Sequence, residues 1–249
     1  MGIHLIGGGR DEARVAAVVA PFVRDAAAAA GDDPPVIAVL VVVEAHDTAS
    51  VDRYRAILTA AGASPASIRI RVVVEGDRFD GTAVAGAHGI FVGGGLTPAY
   101  HDALIGIRDA VRERVAAGAA YAGFSAGAAI VPDRALVGGY RWRGTQVSPE
   151  DAGEELDELD VREGLGLVEG SVDVHAAQWG TVSRLVAAVA AGLVPHGVAI
   201  DEHTAWTLSA GGRDSAVVSG DGGVWLIEAM SSGVQVSLRR LASHGATGR

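Results

Sequence analysis

Tyr121-Ala122-Gly123-Phe124-Ser125-Ala126-Gly127-Ala128-Ala129-Ile130 decides how this chain is read. A short apolar strand meets small residues crowded around one serine and then passes into a helix. A strand-to-helix turn this tight leaves no room for side chains on its flanks, and Gly123 and Gly127 supply the clearance. The Ser125 hydroxyl is left exposed near the positive end of the following helix, which is the arrangement of a nucleophile elbow. In a chain rich in Gly and Ala, the same G-x-S-x-G pattern also fits a plain structural turn, so the rest of the sequence has to decide.

A serine nucleophile needs a general base within hydrogen-bond reach, and the base needs a carboxylate to fix its tautomer. Gly170-Ser171-Val172-Asp173-Val174-His175 reads as a strand carrying His175 at its end, followed by an amphipathic helix near 180–192. Val198-Ala199-Ile200-Asp201-Glu202-His203-Thr204-Ala205-Trp206 reads as another apolar strand, delivering Asp201 and Glu202. Strands of one parallel sheet end at a common edge, where residues distant in sequence meet. The chain order serine, histidine, acid differs from the α/β-hydrolases, in which the acid precedes the histidine. Asp201 and Glu202 are strand neighbours and point to opposite faces, so only one of them can serve the base.

Four segments carry a family resemblance: Phe91-Val92-Gly93-Gly94-Gly95, the stretch from Gly123 to Ala129, Asp173-Val174-His175, and Ile200-Asp201-Glu202-His203-Thr204-Ala205. On these, and from Ile6-Gly7-Gly8-Gly9 to the closing strands, the chain resembles the serine peptidases of the cyanophycinase and aspartyl dipeptidase (peptidase E) family. The resemblance implies a three-layer α/β/α fold with a mostly parallel central sheet, like that of class I glutamine amidotransferases, and a β-rich C-terminal end. It implies Ser125 as nucleophile, His175 as base and then acid, and Glu202 as the orienting carboxylate. The Gly93–Gly95 run fits the second half of an oxyanion hole, with the Ala126 N–H as one donor and Gly94 or Gly95 as the other. A phosphate-binding turn is the other reading of this run and of Gly7–Gly9, although neither completes a P-loop, because all 20 basic residues are arginine.

The substrate pocket departs from the family. Where cyanophycinases have Gln inside the D-x-H motif and several arginines just after it, this chain has Val174, then Ala176 to Thr181, with an arginine only at Arg184. Leu96 follows the glycine run where the family often has Asn or Gln. Neither cyanophycin nor an aspartyl dipeptide therefore follows as substrate. The residues expected around the substrate are Leu96, Arg141, Arg143, Asp173, Trp179 and Arg184. Trp179 reads either as an apolar wall of the pocket or as a core residue. Residues 133–165 read as a long irregular stretch holding Arg141, Trp142, Arg143 and an acidic run from Asp151 to Glu163. Such a stretch is either a solvated helix face or a flap that offers arginine to a substrate carboxylate.

Composition narrows the class. The 249 residues are 49% hydrophobic, and βα alternation runs on without a polar linker, so one domain over 1–249 is expected. A net charge of −10 argues against nucleic acid and anionic membrane as partners. The absence of cysteine removes the thiol chemistry of the related glutaminases, and the scattered histidines suggest no metal site. No signal-type segment or bilayer-length apolar stretch is evident, which makes the cytoplasm the default location. Helices are expected near 11–30, 50–61 and 98–117, the last broken around Gly106. Strands near 197–201, 204–209, 215–218, 224–229 and 234–240, separated by glycines, read as an antiparallel meander. These strands are compatible with a homodimer interface or with completion of the sheet. The expected activity is hydrolysis of a small peptide or amide through an acyl-enzyme, with no cofactor. The alternatives are a catalytically silent binding protein and an esterase or acyltransferase using the same serine.

Overall fold

Short strands of small and β-branched residues sort into two sheets that share a core. The computed structural model describes residues 2–44, 49–209 and 212–240. In chain order the elements are β1 (Ile3–Ile6), α1 (Glu12–Ala30), β2 (Ile37–Val43), α2 (Ala49–Ala60), β3 (Ile68–Val74), β4 (Gly89–Val92), α3 (Thr97–Leu104), α4 (Arg108–Ala116), β5 (Ala120–Phe124) and α5 (Ala126–Ala129). They continue with β6 (Arg134–Gly138), β7 (Arg141–Trp142), β8 (Thr145–Gln146), β9 (Asp160–Glu163), β10 (Ser171–Val174), α6 (Val182–Ala190), β11 (His196–Ile200), β12 (Thr204–Ser209), β13 (Gly212–Gly220), β14 (Gly223–Met230) and β15 (Gly233–Arg240).

The central sheet runs β13-β12-β1-β5-β4-β2-β3. Its strands from β1 to β3 are mutually parallel, and β12 and β13 extend it antiparallel. Alternation along β1 and β5 decides which side each residue serves. Ile6, Ala120, Ala122 and Phe124 pack with Val15, Val19 and Phe22 of α1 and Tyr54 and Ile57 of α2. Leu5 and Tyr121 join the core on the other side, shared with α3, α4 and α5. Pro21 lies inside α1, where it costs about 3 kcal/mol. The helix nonetheless persists because its buried Val and Phe side chains each return about 1.5–3 kcal/mol.

The second sheet runs β10-β11-β14-β15, with β10 and β11 parallel and the others antiparallel. Val172, Val174, Val198, Ile200 and Val224 join the core that contains Leu5, Tyr121 and Trp206 of the central sheet. The opposite face, through Ala199 and Ile227, is covered by Leu185, Ala188 and Val189 of α6.

The mostly parallel sheet, the helix break at Ile105–Ile107 and the β-rich end follow the expectation from sequence. Two expectations need correction. The closing strands are not one meander: β12 and β13 finish the central sheet, while β14 and β15 pair onto β11. Residues 133–165 are not irregular either, because β6 pairs antiparallel with β9 and β7 with β8. The acidic run forms no α-helix; it holds a single short turn at Glu150–Ala152 and then the strand β9. Among the described residues, no helix is long and apolar enough to cross a membrane.

Candidate active site

Backbone crowding explains the glycines of the elbow. A Cβ on Gly123 would collide with the Gly127 carbonyl, and one on Gly127 with the Val92 carbonyl. Between them Ser125 is held at φ 52°, a conformation that costs a non-glycine residue about 1–3 kcal/mol and persists only where neighbours enforce it. The enforcement comes from both flanking strands: the Ser125 N–H donates to Ile6 O (2.9 Å) and the Gly127 N–H to Gly93 O (3.0 Å). The helix after the serine, α5, is a single turn. Polarity at the serine is therefore local, from individual N–H groups more than from a long helix dipole.

His175 follows β10 and also has positive φ, 54°. Its N–H donates to Gly7 O (3.0 Å), which ties the end of the second sheet to the end of β1. The imidazole Nε2 lies 2.8 Å from Ser125 Oγ, and Nδ1 lies 2.7 Å from Glu202 Oε1. The ring stacks on Trp179, with centroids 3.8 Å apart and planes 6° from parallel. Burial, the larger influence, holds the imidazole below its ordinary pKa, and the Glu202 carboxylate partly offsets this. The shift favours the neutral ring, whose Nε2 faces the serine hydroxyl.

The choice between the adjacent acids is decided by hydrogen bonds. Asp201 is consumed structurally, accepting from Ala177 N–H (3.0 Å), Gly223 N–H (2.8 Å) and Trp225 Nε1–H (3.0 Å). Glu202 faces the imidazole, and its own N–H donates to Gln178 Oε1 (2.9 Å). Sequence reasoning brought Ser125, His175 and Glu202 to one rim of one sheet. In the structure the serine leaves the central sheet while the other two leave the second sheet.

The joint between the sheets is the first glycine run. Gly8, at φ 99°, lies so close to the His175 ring that a Cβ there would collide with Cε1, and a Cβ on Gly9 would strike the His203 ring. These glycines pack against the site's imidazoles, a role the sequence reading, with its phosphate-turn alternative, did not find. The second run, expected as half of an oxyanion hole, lies beside the serine. A Cβ on Gly94 would stand 2.7 Å from Ser125 Cβ, so this turn does approach the serine. The Gly94 N–H, however, is directed at the Tyr54 hydroxyl (2.7 Å) and so is engaged away from Ser125.

A cavity of about 450 Å³ opens beside Ser125. Leu96 and Trp179 line it, and Trp179 is 41% exposed, so it is a wall of the cavity and not a core residue. Arg141, Arg143, Asp173 and Arg184 do not line it. Arg141 lies over the Tyr140 ring and Arg143 over Trp142. Arg184 and Asp173 are both buried and form a two-pronged ion pair with both contacts at 2.8 Å. Arg184 also donates to Ala152 O, anchoring the segment that walls the cavity. The arginines at the cavity are instead Arg10 and Arg53, neither singled out by any motif. Glu44, Glu75, Asp151, Glu154 and Glu155 face the same space. Burial raises the Glu75 carboxyl pKa, and Glu44 and Glu155 raise it further. Glu154 accepts from the Thr97 N–H (2.8 Å) at the start of α3, and burial raises its pKa as well.

With this geometry in place, comparison with known proteins bears on the fold. No protein-family model and no curated protein matches the sequence. Among solved structures, a peptidase from an acI-B1 actinobacterium is similar with a TM-score of 0.64 and 20% identity, over 95% of this chain and 93% of that one. A putative peptidase E protein from Listeria monocytogenes EGD-e is similar with a TM-score of 0.55 and 15% identity, over 89% of this chain and 98% of that one. At such identities the likeness is one of fold, and the fold is that of these peptidase E-like structures.

Proposed function

We propose that this protein is a serine peptidase acting on a small peptide or amide. The observation carrying this reading is the continuous contact from Ser125 Oγ through the His175 imidazole to Glu202, at 2.8 and 2.7 Å, inside a cavity of substrate size. His175 Nε2 takes the serine proton as Oγ adds to the carbonyl carbon. The oxyanion that forms accepts from the Ala126 and Gly95 N–H groups. His175 then gives the proton to the leaving amine, and the carbon–nitrogen bond breaks. Water, deprotonated by the same imidazole, releases the acid from the serine ester.

Charge along the cavity speaks to the substrate. Arg53 is already engaged with Gly9 O (2.6 Å) and lies over the Phe124 ring, while five carboxylates besides Glu202 face the space. A cationic or neutral substrate suits this lining better than one presenting a free carboxylate. The test of the function is a fluorophosphonate probe. It should label Ser125 in the wild type, fail on Ser125→Ala and lose most of its rate on His175→Ala. A folded protein that resists the probe at high concentration would remove the reading.

A further inference from the structure

Two buried tyrosines outside the Ser125–His175–Glu202 relay converge on one peptide unit. Tyr54 of α2 and Tyr100 of α3 are each 1% exposed. The Tyr54 hydroxyl accepts the Gly94 N–H (2.7 Å) and donates to the Gly94 carbonyl (3.2 Å), and the Tyr100 hydroxyl donates to the same carbonyl (3.3 Å). Gly93 lies against both rings, so close that a Cβ there would meet Tyr54 Cε2 at 2.7 Å and the Tyr100 hydroxyl at 2.9 Å. Tyr54 is itself wedged between Phe91 and Phe124, with ring centroids 5.4 and 5.9 Å away.

The Gly94 carbonyl and the Gly95 N–H belong to one planar trans peptide and therefore point in opposite directions. A carbonyl held inward by two buried hydroxyls turns the Gly95 N–H outward, and Gly95 lines the cavity that holds Ser125. A glycine–glycine peptide has little intrinsic preference for one orientation, so the direction has to be imposed from outside. We infer that Tyr54 and Tyr100 are positioning residues that clamp the Gly94–Gly95 peptide so that the Gly95 N–H faces the developing oxyanion. Each hydroxyl acts through the peptide and touches no substrate. The inference rests on the serine peptidase reading above. Tyr54 holds both polar groups of Gly94 and Tyr100 only one, so the loss of Tyr54 has the larger effect.

The experiment uses the full chain and a fluorophosphonate probe, whose phosphoryl oxygen takes the oxyanion position. Oγ bonds to phosphorus, fluoride leaves and His175 takes the serine proton. The inactivation rate constant, kinact, and the probe dissociation constant, KI, are measured separately for the wild type, Tyr54→Phe, Tyr100→Phe and the double variant. One lost oxyanion donor costs about 10²- to 10³-fold in rate, and a donor released from its clamp loses part of that. The expected results are a fall in kinact of about 10- to 100-fold for the double variant, a smaller fall for Tyr54→Phe and the smallest for Tyr100→Phe. KI should stay within about twofold, and the acid limb of the pH profile, which reports the imidazole, should not move. A folded double variant with wild-type kinact overturns the inference. So does a fall in which KI rises as much as kinact drops, or one accompanied by a displaced acid limb. If the double variant does not fold, the ratio of the two single variants decides, and equal kinact in Tyr54→Phe and wild type overturns it. Failure of the wild type itself to react would instead remove the peptidase reading, which separates the two failures.

Discussion

Ser125 leaves the central sheet from β5, a strand paired on both sides by β1 and β4, whereas His175 leaves the second sheet from β10, an edge strand that among the described residues pairs only with β11. The serine therefore inherits its position from two backbone ladders. The imidazole depends on contacts gathered from elsewhere: the Gly7 carbonyl, the close surface of Gly8, the stacked Trp179 and the carboxylate of Glu202. Behind it, the buried Asp173–Arg184 pair fixes the end of β10 to α6. Breaking such a pair by removing one partner costs about 3–5 kcal/mol, although an apolar replacement of both is often neutral. The lesson is that the half of the site carrying the base is the more exposed to single substitutions at residues that touch no substrate.

The sharpest way to break that half alone is Glu202→Gln. The amide keeps the shape but imposes the wrong tautomer on the imidazole, and probe labelling of Ser125 should slow by roughly 10⁴-fold with little change in melting temperature. An intermediate effect is expected from Gly8→Ala, which places a methyl against the His175 ring at a backbone angle that alanine resists. Displacing the base by about 1 Å costs about 10²-fold in labelling rate. Circular dichroism should show the fold retained, and an unchanged rate would mean that the joint between the sheets yields freely. The smallest effect is a matter of pH. Burial holds the His175 pKa below its ordinary value, so the shift favours the free base and labelling should fall only on the acid side of neutrality. Below the limb the rate drops about tenfold per pH unit. Glu202 holds the pKa up against burial, so Glu202→Gln should move the limb to still lower pH. A limb at or above pH 7 would show the imidazole to be better solvated than its contacts indicate.

How much of this was legible in the sequence follows the range of the forces involved. The elbow was legible because its two glycines, four positions apart, flank the serine in the sequence, although the clearance at Gly127 is against the distant Val92 carbonyl. That Ser125, His175 and Glu202 meet was legible by resemblance, and the break was placed at Gly106, while the apolar period of Leu104, Ile107 and Val111 runs through it. Strand partners were not legible, since β12 and β14 are both short, largely apolar strands and nothing local says that they join different sheets. The hairpins within 133–165 escaped because β9, Asp160–Glu163, carries three charged residues among its four and offers no apolar period. Arg184 was misplaced because it follows the histidine at the start of a helix. A signal was nonetheless present: Asp173 stands between Val172 and Val174 in an apolar strand, and a buried carboxylate there requires a buried cation. Arg10 and Arg53 carried no such signal.

The order of strands in the two sheets has one further consequence. Among the described residues each sheet has two edge strands, β13 and β3 in the central sheet and β10 and β15 in the second. Exposed open edges of this kind invite strand-by-strand aggregation unless charge deters it. Lysine is the usual deterrent, and this chain has none, yet Arg69 and Arg71 stand exposed along β3, as do Arg239 and Arg240 at the end of β15. Colloidal protection at the β3 and β15 borders thus falls to guanidinium groups, whose charge opposes the zipping together of a valine-rich polypeptide.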